Sequence, residues 1–297
     1  MSGFENVVVS LREFRKFGLD QILDWVTAKR KAFYFEPSSR FDTQGLHEKR
    51  GLFYLPSADF RVKDRDLLTE TLFLMNAPAR FRENIFRFLP AAQGIHFGFD
   101  QRELDQSQAS LICKCYLEFP GSSAATTSQT TQFLGYKWSP LGLGSPVVSK
   151  YRLIGDGDVN EAFATWESKM KTRAVSGYWS DFDFERLKSN NHTDRREQLG
   201  ASHSQEASCH VLQIQDEGSE RYSVDVNLYS QQWKVRELST QLRQTLAFSP
   251  VKQDQWDKWI QNTNHQTVGH ISTGYDRGGQ PFLTLYHGSH LLVSEEA

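Results

Sequence analysis

The chain has 297 residues, with 34 Lys and Arg against 36 Asp and Glu, a formal net charge of −2. That balance argues against a general nucleic-acid binder and against a polybasic membrane-surface protein, both of which need a basic excess or stripe. At 38% hydrophobic and 24% charged it is globular material with enough apolar mass for a sizeable core, and no run approaches the roughly 18 apolar residues of a membrane span.

The start, MSGFENVVVSLREF, carries no basic n-region, apolar h-region or small-residue cleavage site. Cys113, Cys115 and Cys209 are too few and too scattered for a disulfide framework, so the expectation is a single domain, residues 1–297, in the cytoplasm. Residues 1–93 read as a mainly helical region. Phe14, Phe17, Ile22, Leu23, Trp25 and Val26 recur at helical spacing over 9–33. Residues 34–62 look irregular apart from a strand at 51–56. Two short helices follow at 64–76 and 80–89, broken at Ala77-Pro78 because proline disfavours helix in the residue before it.

From residue 94 the hydrophobic period changes to two. Strands are predicted at 94–100, 111–120, 131–139, 146–154, 209–215, 222–229, 268–275 and 281–287. The small, polar GSSAATTSQTT at 121–131 reads as a loop. Residues 158–172 form an amphipathic helix, as do 235–248, and 253–261 a short one that presents Trp256 and Trp259. Residues 186–208 are the most polar stretch and read as a mobile loop.

A hairpin recurs in this half. Its first strand ends in Asp and its second in x-x-Tyr: Phe99-Asp100 with Lys114-Cys115-Tyr116, Gln215-Asp216 with Asn227-Leu228-Tyr229, and Tyr275-Asp276 with Thr284-Leu285-Tyr286. Ser149-Lys150-Tyr151 matches the second strand alone. Strand–strand–helix repeats imply an α+β fold with one antiparallel sheet and helices on a single face. Residues i and i+2 share a strand face, so Lys114 points with Tyr116. If the sheet curls into a barrel, these pairs face one interior. Propensity alone offers another reading, with Tyr on an outer or edge face and Asp opening the turns.

The run Phe97-Gly98-Phe99-Asp100 … Lys114-Cys115-Tyr116-Leu117-Glu118-Phe119-Pro120 resembles the hairpin of the ABBA aromatic prenyltransferases, and 226–229 and 269–287 are similar to later repeats of that family. The resemblance implies a ten-stranded antiparallel barrel with helices outside and substrates inside. It implies that Lys114 contacts the diphosphate of an allylic donor and that Tyr116, Tyr229 and Tyr286 shield the allylic cation. Thr284 departs from the pattern, standing where a cationic residue would help.

The chemistry has two demands. A departing diphosphate needs several fixed cations or a metal such as Mg²⁺, although no cofactor is required. Lys114, Lys150 and Arg152 are assigned to it, with Lys137 on a neighbouring strand. The allylic cation needs an aromatic, water-free lining, for which Tyr116, Tyr136, Trp138, Tyr151, Tyr229 and Tyr286 are the candidates. Asp225 and Glu118 are the carboxylates on these strands, and neither stands out as the acceptor's base.

The expected function is therefore transfer of a prenyl group from an allylic diphosphate to an aromatic acceptor. The alternative is a non-enzymatic binding or assembly protein whose aromatic surface holds a protein partner or hydrophobic ligand, with Trp256 and Trp259 exposed. An interior tunnel with two or more cations favours the first, and a closed, cation-free core sinks it. Asp156-Gly157-Asp158-Val159-Asn160 superficially begins a calcium loop, but Glu161 stands where that loop needs glycine, and Asp158 with Glu161 reads instead as a helix capping box. His210, His270, His287 and His290 form no metal-ligand pattern, and no metal is assigned.

Overall fold

The computed structural model describes residues 32–48, 50–56, 62–105, 108–120, 131–142, 144–171 and 209–293. Of the predicted helix over 9–33, residues 9–31 lie outside the described residues and Ala32 and Phe33 begin a strand; of the predicted loops, 121–130 and 186–208 lie outside them and Thr131 begins a strand.

The described residues form twelve strands: β1 (Ala32–Asp42), β2 (Gly45–His47), β3 (Arg50–Pro56), β4 (Gly94–Asp105), β5 (Gln108–Glu118), β6 (Thr131–Trp138), β7 (Val147–Gly157), β8 (Cys209–Asp216), β9 (Tyr222–Asn227), β10 (Val268–Tyr275), β11 (Pro281–His287) and β12 (His290–Val293). Five α-helices accompany them: α1 (Val62–Leu74), α2 (Ala79–Phe88), α3 (Val159–Lys171), α4 (Val235–Thr245) and α5 (Gln253–Thr263). Every strand from β3 to β11 pairs antiparallel with its neighbours in chain order, and β1 joins β3 to β11. The pairing of Ser38 with Tyr286 through Asp42 with Phe282 closes ten strands into a barrel.

The first hairpin corrects the reading of residues 34–50 as irregular chain, since β1 and β2 are strands, while the strand predicted at 51–56 is β3. Pro37 lies where β1 changes partners, from β12 over 32–35 to β11 over 38–42, so its missing N–H interrupts no continuous ladder. Helices α1 and α2 do precede β4, close to the predicted spans. Asp158 Oδ1 accepts from the Glu161 N–H at 2.9 Å, so this acidic run is a helix cap.

Alternation along the strands builds two different faces. Ile95, Phe97 and Phe99 of β4 point outward and are buried under α1 and α2, with Phe53, Cys113, Cys115, Leu72, Phe81 and Ile85 in the same cluster. On the opposite flank, Phe41, Val224, Val226, Ile271, Leu283 and Leu285 pack against Leu238 and Leu242 of α4 and Trp256 and Trp259 of α5. The apolar core thus lies between barrel and helices, as apolar strips on both elements demand. Trp256 and Trp259 are 6% and 1% exposed, so the outward aromatic patch of the alternative reading is not formed by them. Among the described residues no helix is long and apolar enough to cross a membrane.

The barrel interior is filled by the other residue of each pair, and these are mostly polar or aromatic, with Leu52 and Leu212 among them. Gly274, at φ +153°, is where a Cβ would strike the Tyr222 carbonyl oxygen at 2.2 Å, so β10 can approach β9 only with glycine there.

Candidate active site

The interior has two layers. Towards the end where the helical crossovers leave the barrel is a cavity of about 600 Å³. Tyr116 of β5, Tyr151 of β7, Tyr286 of β11 and Tyr229, in a short 3₁₀ turn just after β9, line it together with Leu52, Phe133 and Leu212. The rings of Tyr116 and Tyr151 meet edge to face at 5.7 Å, and the Tyr116 hydroxyl donates to that of Tyr151. Gly135 makes room for both: a Cβ there would lie 2.8 Å from the Tyr116 ring.

Three carboxyl groups share this cavity. Glu36 accepts a hydrogen bond from the Tyr229 hydroxyl at 2.5 Å; burial, reinforced by the charge of Asp225, raises its pKa. Asp225 pairs with Nδ1 of His270 at 2.9 Å. Burial alone would strip the proton from that imidazole, but Asp225, Glu36 and Glu118 outweigh it and hold the His270 pKa at about 9. Glu118 receives Nε2 of His96 at 3.0 Å and the amide of Gln93 at 2.8 Å; these bonds overcome its desolvation and keep it below the usual carboxylate range.

Towards the opposite end, closed by the tight hairpin turns at 217–221 and 276–280, the interior is cationic. Lys114 of β5 and Lys137 of β6 are directly opposite one another in register. Like charges so placed repel. Arg50 Nε lies 3.0 Å from Asp100 Oδ1, and Lys114 Nζ 3.9 Å from Asp100 Oδ2. Arg221 and Arg277 bind Asp216 at 3.1 and 3.2 Å, and Arg40 binds Asp42 at 2.9 Å. Burial opposes the ionisation of Asp216, but Arg221 and Lys137 hold its pKa down at about 2. Lys137 is pushed well below the ordinary lysine range, first by desolvation and then by Arg221 and Lys114. In this layer Arg40, Arg50, Lys114, Lys137 and Arg221 face Asp42, Asp100 and Asp216, with the more exposed Arg277 and Asp276 at its rim, so basic groups outnumber carboxylates and the layer can take further negative charge.

The structure brings together some of the predicted residues and separates others. Tyr116, Tyr151, Tyr229 and Tyr286 line one cavity, and Lys114 lies in the cationic layer. Tyr136 and Trp138 face outward instead. Tyr136 packs against Phe81 of α2 at 5.2 Å, and the Trp138 indole donates to the Met75 carbonyl at 2.9 Å. Lys150 and Arg152 flank Tyr151, so alternation puts them on the outer face of β7, where Lys150 pairs with Glu217 at 3.2 Å. Arg50, Arg221 and Glu36 were not singled out by the sequence, and His270 was weighed only as a metal ligand. The signal for Arg50 and Glu36 was lost when the first hairpin was read as irregular. Those for Arg221 and His270 emerge only once β9 and β10 are paired.

No known protein family matches the chain, and no curated protein matches it. Solved structures do. AnaPT from Neosartorya fischeri, an ABBA aromatic prenyltransferase, superposes with a TM-score of 0.50 at 11% identity, over 89% of this chain and 79% of AnaPT. The NotF prenyltransferase gives 0.48 at 12%, over 86% of this chain and 80% of NotF. NotF in complex with brevianamide F and DMSPP gives 0.46 at 11%, with the same coverage. The fold is therefore that of the ABBA prenyltransferase barrel, and at 11% identity the likeness to AnaPT is one of fold.

Proposed function

We propose that the protein transfers a prenyl group from an allylic diphosphate to an aromatic acceptor inside the barrel. The observation that carries this is the stacking of the two layers. A tyrosine-lined cavity adjoins a buried set of cations, and Tyr116, Tyr151 and Tyr286 lie within electrostatic reach of Arg50 or Arg221. The diphosphate would lie among Lys114, Lys137, Arg50 and Arg221, where its charge favours the protonated form of Lys137 and offsets the Lys114–Lys137 repulsion. The C–O bond to the prenyl group breaks and its electron pair leaves with the diphosphate. The tyrosine rings flank the resulting cation, since π systems attract positive charge and exclude water. A ring carbon of the acceptor attacks, and the displaced ring proton passes to a cavity carboxylate. Glu118, held ionised by His96 and Gln93, faces that space.

One observation favours a second reading, a barrel that binds an aromatic ligand without transfer: Arg40, Arg50 and Arg221 already have carboxylate partners. Calorimetric titration with dimethylallyl and geranyl diphosphate, with and without Mg²⁺, separates the two. Transfer predicts micromolar binding weakened more than about tenfold, ~1.4 kcal/mol, in Lys114→Ala and Lys137→Ala and unchanged in Lys150→Ala. No binding, or binding indifferent to Lys114 and Lys137, overturns it in favour of the second reading.

A further inference from the structure

Among the described residues no lysine or arginine lines the 600 Å³ cavity, while Glu36, Glu118 and Asp225 all do. Their partners within it are the imidazoles of His96 and His270 and the Tyr229 hydroxyl. Three carboxyls thus share two imidazoles, and Glu36 has a phenol where a cation would satisfy it better. A carboxylate offers about four acceptor positions, and the contacts above occupy one or two on each group, so all three can accept more. Around them the walls are aromatic, with Tyr229 standing edge-on to His270 at 4.9 Å and Tyr54 against His96 at 4.8 Å.

This combination selects a ligand by charge. An anionic acceptor meets three carboxyl groups against one protonated imidazole, His270, which Asp225 already engages. A neutral one leaves Glu36 with only His270, which is bonded to Asp225, as counter-charge, and desolvation still disfavours its ionised form. An ammonium has three donors and no acceptor, and gains from both the carboxyls and the π systems of a desolvated cage. Resting on the reading of this cavity as the acceptor's seat, we propose that the acceptor is an aromatic molecule bearing a protonated amine, its ammonium against Glu36 and Asp225 and its ring among the tyrosines. The barrel then holds its two substrates by opposite charges at opposite ends, which would keep each out of the other's layer.

The test compares 2-(2-naphthyl)ethylamine with its N-acetyl derivative, which keeps the ring and removes the charge, by calorimetric titration of the full-length protein without donor. The amine is expected to bind at least about tenfold more tightly. That preference should collapse in Glu36→Gln and shrink in Asp225→Asn, and persist in Lys150→Ala on the outer face. Equal affinities in the unmodified protein, tighter binding of the acetylated compound, or binding of neither would overturn the proposal without any variant having to fold. The transfer reading fails separately. If diphosphate binding is absent or insensitive to Lys114 while the amine preference holds, the cavity is an amine site without a prenyl donor. If the diphosphate binds as predicted and the amine preference is absent, transfer stands with a different acceptor.

Discussion

Acidification should weaken the fold through one buried imidazole on the outside of the barrel. His287 of β11 is 4% exposed and sits in a chain of hydrogen bonds between strand and helix. The Trp259 indole N–H donates to Ser39 Oγ at 2.8 Å, and Ser39 Oγ lies 2.8 Å from His287 Nε2. On the other side, His287 Nδ1 lies 2.5 Å from Gln266 Oε1. An amide oxygen accepts only, so Nδ1 carries the proton and Nε2 accepts from Ser39. A second proton on Nε2 would turn a donor towards Ser39, which would then face donors from both Trp259 and His287. Burial holds the His287 pKa down at about 4, from 6.5. The unfolded imidazole takes up its proton below 6.5 and the folded one does not. The contribution is therefore present in full above 6.5 and is lost as pH falls through 4. The full difference is roughly 3 kcal/mol, of which about 2 kcal/mol is gone by pH 5. Glu36, whose pKa is raised, works in the opposite direction, so the assay is a difference: urea unfolding of the unmodified protein and His287→Asn at pH 7 and at pH 5. The unmodified protein should lose about 2 kcal/mol more than the variant over that interval. Parallel losses would refute the argument that this imidazole is locked neutral.

His270 should act with the opposite sign. Its pKa is raised to about 9, so its contribution is present below 6.5 and lost as pH rises through 9, and His270→Gln should flatten the alkaline side of the stability profile. Asp100→Ala strips the partner from buried Arg50 and Lys114 and should cost roughly 3–5 kcal/mol by urea unfolding; a cost under about 1 kcal/mol would show that water compensates the cations. Gly135→Ala places a methyl 2.8 Å from the Tyr116 ring. It should cost roughly 1–3 kcal/mol and weaken any ligand of the cavity by crowding the Tyr116–Tyr151 pair, whereas unchanged affinity would mean that Tyr116 does not bound the ligand space.

What could be read in the sequence depended on whether one strand sufficed to decide it. Helices α2, α4 and α5 were visible because a 3.6-residue period is local, and most strands after residue 94 because their outward apolar residues alternate, although the outer face of β7 carries Lys150 and Arg152. β1 was hidden because its period is masked: Glu36, Arg40 and Asp42 point into a polar barrel, and Pro37 with Ser38-Ser39 resembles a loop. In the site, the Lys114–Tyr116 pair was legible from i, i+2 spacing. The faces of Tyr136, Trp138, Lys150 and Arg152 were not. Spacing tells which residues share a face, but only closure of the sheet tells which face is inside. Glu36 with Tyr229, 193 positions apart, and Asp225 with His270, 45 apart, are pairs that pairing of the strands creates.

The separation of charge inside the barrel also bears on why the cationic layer keeps its acids. Five cations packed without Asp42, Asp100 and Asp216 would each lose hydration with nothing in return, a penalty of several kcal/mol per ion. With the acids present the layer folds with more basic groups than carboxylates, and Lys137, which faces Lys114 across the β5–β6 ladder, is pushed well below the ordinary lysine range by burial and by Arg221 and Lys114. An anion arriving there gains from cations that are already fixed and favours the protonated form of Lys137. The carboxylates hold the guanidinium groups in place, as preorganised charge requires. A barrel that only needed a filled interior could have used apolar side chains at lower cost, so the surplus of buried positive charge points to a ligand that supplies the negative.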